Sequence, residues 1–203
     1  MSLDGGGAKG FYTLGVLREV EAMLGRPLYE VFDLIYGTST GSIIGAMLAT
    51  DKPVAEIHKL YKEHVPNVMR LTTKTARSAQ LAKLAADIFK DDGFNKIKTG
   101  IGIVATRWLQ ETPIIFKADA GQAHGRIASF VPGFGVNLGD AVQASCSAYP
   151  FFSKKTFTPG DRNRPARWRV LRQQSHPLCD RRRRTGLAAC KTSSTGCAFD
   201  WCP

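Results

Sequence analysis

The chain opens with a regular exchange of apolar runs and glycine-rich breaks. Met1–Leu3 is a stub of extended chain whose start is expected to lie upstream. Leu14, Val16, Leu17, Val20, Glu21, Met23 and Leu24 fit an amphipathic helix that stops near Gly25 and Pro27. The run Val31–Tyr36 is short and mostly apolar, as a buried parallel strand is. Ser42–Thr50 then reads as a helix. Strand, glycine turn, helix, repeated twice, predicts an α/β protein with a parallel sheet covered by helices.

Further along, residues 54–65 form a second helical stretch with Ile57, Leu60, Tyr61 and His64 on one side. Leu81, Leu84, Ala85, Ile88 and Phe89 follow the spacing of a helix face. Ile101–Ala105 and Pro113–Lys117 read as strands around a turn at Gln110-Glu111, Gly133–Asp140 as a loop, and Ala141–Ala148 as a helix or its start. Arg70, Lys74, Arg77 and Lys83 precede or line the helix at 81–89. They read as its solvated side, or as a lid that approaches an anionic membrane surface.

The two glycine breaks carry the chemistry. The second, Gly37-Thr38-Ser39-Thr40-Gly41, has the G-x-S-x-G form of a nucleophile elbow. There a sharp strand-to-helix turn holds a serine exposed, with small residues where side chains do not fit. The first, Asp4-Gly5-Gly6-Gly7-Ala8-Lys9-Gly10, offers backbone N–H donors for an oxyanion. It also satisfies the dinucleotide fingerprint through Gly5, Gly7 and Gly10, but that reading needs an acid ending the second strand. The second strand ends instead in Tyr36-Gly37-Thr38-Ser39, which favours acyl hydrolysis over a dinucleotide-binding module. A histidine base is poorly supported: His58 and His64 sit in one helical stretch, and His124 and His176 have no catalytic context.

Charge and cysteine divide the chain. The net charge is +11, but residues 159–203 hold ten Lys or Arg against three Asp, a net of +7 in 45 residues. Cys146 stands apart, whereas Cys179, Cys190, Cys197 and Cys202 crowd near the end. So uneven a charge is not the footprint of a nucleic-acid polymer bound along the domain. No apolar run approaches the roughly 20 residues of a membrane-spanning helix, and no signal-peptide pattern follows Met1, so a cytoplasmic location is expected.

The segments SLDGGGAKGFYTLGVLREVE and FDLIYGTSTGSIIGAMLA together resemble the patatin-like phospholipase family. IGIVATRW, PIIFK and DAVQASCSAYPFF continue the likeness, which runs from Ser2 to about Thr158. The resemblance implies a three-layer α/β/α sandwich with a mostly parallel central sheet, and a serine–aspartate dyad acting on acyl esters of phospholipids. Carried over, Ser39 matches the nucleophile, and the backbone of Gly5, Gly6 and Gly7 matches the oxyanion hole. Asp4, Lys9 and Gly10 belong to the first motif; Gly37, Thr38, Thr40 and Gly41 belong to the second. No metal or cofactor is implied. The wording DGGGAKGFYTLG looks most like bacterial cyclic-dinucleotide-activated phospholipases of antiphage defence, which implies such an activator and transient contact with a membrane surface.

One departure stands out. The family's catalytic aspartate lies in a D-G-G or D-G-A motif shortly after the segment matching Phe151–Thr158, and this chain has none there. Asp161 is the nearest carboxylate, in the wrong setting of Asp161-Arg162-Asn163-Arg164-Pro165. Trp168 has only the codon TGG, so reading one nucleotide later places glycine there whatever follows. Allowed codons for Arg167 to His176 then spell D-G-G-Y-C-A-N-N-P-T, and Pro177 to Arg183 can spell L-[F or Y]-A-I-A-D-A. This resembles the family's aspartate segment. The expectation is a domain over residues 1–158, incomplete at its C-terminal side, and an out-of-frame, disordered tail over 159–203. The chain as written is then expected to be an acyl hydrolase with negligible activity; the alternative is a catalytically dead fragment that at most binds lipid.

Overall fold

The computed structural model describes residues 1–108, 110–122, 130–157 and 168–170. Its centre is a four-stranded sheet in the order β1-β2-β3-β4, formed by Ser2–Leu3, Leu34–Thr38, Gly100–Thr106 and Pro113–Lys117. The first three strands are parallel, with Leu3 opposite Gly37 and Thr38 opposite Val104, and β4 runs antiparallel to β3. Consecutive Ile101, Gly102 and Ile103 are all buried, as expected of a strand covered on both faces. The mostly parallel sheet flanked by helices is the α/β architecture that the sequence predicts.

Six helices accompany the sheet among the described residues: α1 Gly10–Leu24, α2 Leu28–Val31, α3 Thr40–Ala49, α4 Val54–Met69, α5 Lys74–Phe89 and α6 Leu138–Cys146. Every residue of α3 is buried, so its apolar sequence has no solvated face to keep polar. It packs along β2, with Ile35 and Gly37 turned towards it. On α4 the buried positions are Val54, Ile57, Tyr61, Val65 and Val68, a stripe of helical spacing. Its first turn is tied to α1, where Glu21 Oε2 accepts the Val54 N–H at 3.0 Å. Asn137 caps α6 by accepting the Asp140 N–H at 2.7 Å.

Several boundaries move. The strand expected over Val31–Tyr36 starts at Leu34, because Leu28–Val31 close a helical turn in which Phe32 N–H donates to the Leu28 carbonyl. The helix at 54–65 continues to Met69 through Pro66, and the one at 81–89 begins at Lys74 under a Thr73 cap. Of the loop expected over Gly133–Asp140, the first part is a tight turn with positive φ at Gly133, Phe134 and Gly135, and only its last three residues, from Leu138, belong to α6. Of residues 159–203, only the Trp168–Val170 backbone falls within the described residues. It is a strand, β6, antiparallel to β5 at Lys155–Phe157.

Gly37 and Gly41 are dictated by close approach. A Cβ on Gly41 would lie 2.1 Å from the Leu3 carbonyl oxygen, and one on Gly37 would lie 2.5 Å from the Gly41 oxygen. Backbone cannot yield as a flexible side chain can. Gly41→Ala is therefore expected to destabilise the fold by about 1–3 kcal/mol or more, read as a lower urea midpoint.

Candidate active site

Both glycine turns leave the C-terminal ends of neighbouring parallel strands, the edge where α/β proteins bind ligands. β2 ends at Thr38, Ser39 turns the chain, and α3 begins at Thr40. Ser39 adopts φ 54° and ψ −123°, in the positive-φ region that costs a non-glycine residue about 1–3 kcal/mol. The turn is held from several sides. The Ser39 carbonyl accepts the Ser42 N–H at 2.8 Å and the Ser42 hydroxyl at 2.6 Å. The Ser39 N–H donates to Ser145 Oγ at 2.9 Å, and that hydroxyl donates onward to the Val104 carbonyl at 2.6 Å. Ser145 thus pins the elbow to α6 and to β3 together. Ser39 itself remains half-exposed, and no side chain among the described residues hydrogen-bonds its hydroxyl with good geometry.

The first turn lies directly beside the elbow, since the would-be Cβ of Gly41 also sits 2.8 Å from the Asp4 carbonyl oxygen. After β1 the chain passes through exposed Asp4, half-buried Gly5 and exposed Gly6 into a short helical turn, Gly7–Lys9, from which α1 continues. Gly7 has φ 58°. Lys9 N–H donates to the Gly6 carbonyl at 3.2 Å, and Gly10 N–H turns towards the carbonyls of Gly7 and Ala8. Among the described residues, the N–H groups of Gly5, Gly6 and Gly7 donate to no partner. Such open amides beside two helix N-termini make a natural anion cradle.

The rest of the expected machinery separates. His58 and His64 both lie on α4, His58 half-buried with its ring edge-on to Phe11 at 6.0 Å. Neither hydrogen-bonds Ser39, and no described carboxylate does so. His124, His176 and Asp161 lie outside the described residues.

Three neighbours of the site went unassigned in the sequence: Tyr61, Ser145 and Cys146. Tyr61 is buried on α4 and donates its hydroxyl to the Gly7 carbonyl at 2.5 Å. Burial pushes this hydroxyl's pKa up to about 12, with a smaller opposing influence from Thr40. Thr40 Oγ1 is buried and makes no hydrogen bond of good geometry among the described residues, yet it lies near enough to ease that ionisation. Burial likewise pushes the Cys146 thiol up to about 12, offset in part by the adjacent hydroxyls of Ser42 and Ser39. Its Sγ lies 3.9 Å from Ser42 Oγ, which makes it an inert packing thiol. The available signal was the segment Asp140–Phe152, whose family likeness was legible without a role for any one residue.

The family model for patatin-like phospholipases matches residues 1–170. The chain belongs to the patatin-like phospholipase family. A cUMP-AMP-activated phospholipase of Escherichia coli is 61% identical to this patatin-like chain over 155 residues, which are 76% of the chain and 48% of the E. coli protein. Phospholipase A I of Arabidopsis thaliana is 35% identical over 99 residues, 44% of the chain and 8% of that protein. The chain thus spans about half the length of the E. coli relative and far less of the plant one. Among solved structures, VipD from Legionella pneumophila superposes with a TM-score of 0.55 at 12% identity, covering 84% of this chain and 45% of VipD. That likeness supports the patatin-like fold alone. No helix among the described residues is long and apolar enough to cross a membrane.

Proposed function

We propose that this patatin-like chain carries the nucleophile half of a phospholipid acyl hydrolase, and that as written it lacks the base. The reading rests above all on the strained Ser39 elbow lying against the amides of Gly5–Gly7, which donate to no partner among the described residues. In the complete enzyme, Ser39 Oγ attacks the ester carbonyl while a carboxylate takes its proton. The glycine amides hold the tetrahedral oxyanion, at about 3 kcal/mol per donor. The acyl-enzyme that remains after the alcohol departs is hydrolysed by water. The serine–aspartate dyad is what membership of the family implies, and no histidine among the described residues hydrogen-bonds Ser39.

The missing aspartate is accounted for by a slip of reading frame between about Thr158 and Ala166. Such a slip accounts for the run Arg181–Arg184 and for the crowded cysteines. On this reading residues 1–158 are the native domain, and 159–203 are mistranslated. The phospholipase relatives activated by cyclic dinucleotides make such an activator the expected regulator, and a membrane surface the expected source of substrate.

A fluorophosphonate probe tests the site. It is expected to label Ser39 rapidly in a protein carrying the shifted-frame tail and at least about 100-fold more slowly in the chain as written. Equal labelling of both would remove the missing-base reading. Labelling of neither, with tight binding of NAD or FAD, would favour the dinucleotide module instead.

A further inference from the structure

We propose that Tyr61 is a positioning residue that preorganises the oxyanion turn, through its hydrogen bond to the Gly7 carbonyl. The inference rests on the reading of Gly5–Gly7 as the oxyanion cradle. Three consecutive glycines have no side chain with which to anchor themselves, and Gly7, at φ 58°, visits both signs of φ at little cost. Donors that must be aimed before charge develops need an outside constraint, because reorganisation during the reaction forfeits the electrostatic gain. Tyr61 supplies it from α4, a helix 54 positions further along the chain. A peptide unit is planar, so fixing the Gly7 carbonyl also fixes the Ala8 N–H, directed away from Tyr61.

The surroundings are built around this contact. Tyr61 is 1% exposed, so water does not compete for its hydroxyl. The Phe11 ring stands edge-on to it at 4.8 Å and holds its plane. A Cβ on Gly10 would lie 2.2 Å from the Tyr61 hydroxyl, so the last glycine of the motif is what lets that hydroxyl reach the turn. Thr40, next to the candidate nucleophile, is close enough to influence the same hydroxyl. One phenol therefore touches the oxyanion turn and adjoins the elbow.

Tyr61→Phe removes the hydroxyl and keeps the ring against Phe11. In the chain as written, amide exchange at Lys9 and Gly10, which donate into the turn, is expected to quicken about tenfold. Exchange in α3 and the melting temperature should stay near those of the parent. Unchanged exchange at Lys9 and Gly10, or faster exchange throughout the molecule, would overturn the tether. In the protein with the shifted-frame tail, Tyr61→Phe should lower kcat about 10- to 100-fold for a short-chain ester, with KM within about twofold. Gly10→Ala, which displaces the hydroxyl, should give the same split between kcat and KM. Unchanged kcat, or a KM that rises in proportion, would refute the positioning role. If the parent with the repaired tail hydrolyses no ester even with the candidate cyclic-dinucleotide activators present, the oxyanion reading fails by itself, and the exchange experiment still decides whether Tyr61 holds the turn.

Discussion

Restoring the shifted frame over codons 167–183 is expected to raise kcat/KM for phospholipid hydrolysis by at least about 1,000-fold over the chain as written. A positioned general base contributes about 10²–10⁴, and members of a nucleophile–base pair act as a unit, so loss of one nearly silences the other. With CGA for Arg167 and AGG for Arg169, the shifted frame puts an aspartate at position 167, followed by two glycines. The backbone at 168–170 pairs with β5, and Lys155 of β5 reaches back to α6 through Asp140 at 2.6 Å and Gln143 at 2.9 Å. α6 is also the helix whose Ser145 holds the elbow. The measurement is release of fatty acid from a fluorogenic phospholipid by the two proteins. It should include the candidate cyclic-dinucleotide activators, since a complete but unactivated enzyme would also be silent. Codons that cannot spell DGGYCANNPT, or a repaired protein no more active than the original, would end the idea.

The second large effect concerns the nucleophile. In the repaired protein, Ser39→Ala is expected to cut kcat by about 10⁶, near the limit for loss of a catalytic serine. The melting temperature should barely move. The Ser39 hydroxyl makes no good hydrogen bond among the described residues, and alanine bears the positive φ about as well as serine does. The three bonds that secure the turn, one to Ser145 and two from Ser42, use the Ser39 backbone and survive the change. A variant that keeps most of its activity would move the nucleophile elsewhere.

Local signals were legible in the sequence and distant ones were not. Pro113–Lys117 is a strand with the limits its pattern suggested, and the elbow sits between β2 and α3 as its motif requires. These depend on neighbours within a few residues. Val31 failed because an apolar residue before a strand is equally at home ending a helical turn, and periodicity over so short a run does not separate the two. The start of α6 failed because Gly139 weakens the helical pattern that the Asn137 cap supports. Tyr61 and Ser145 were missed for a different reason: each meets the site across the fold, 54 and 106 positions from its partner. A tyrosine beside Ile57 and Leu60 reads as one more core residue until its hydroxyl is seen on a carbonyl.

The span of the Ser39–Ser145 bond has a consequence for synthesis on the ribosome. The elbow's strained conformation is secured by a residue made 106 positions later. At about 5–20 residues per second, roughly 5–20 s separate the emergence of the two. During that interval the nascent chain contains the serine and both glycine turns but not the hydroxyl that pins Ser39 to β3. The backbone there is free to relax towards ordinary negative φ, which turns the serine out of register with the amides. The strained elbow would thus be secured only after the chain through α6 has been made.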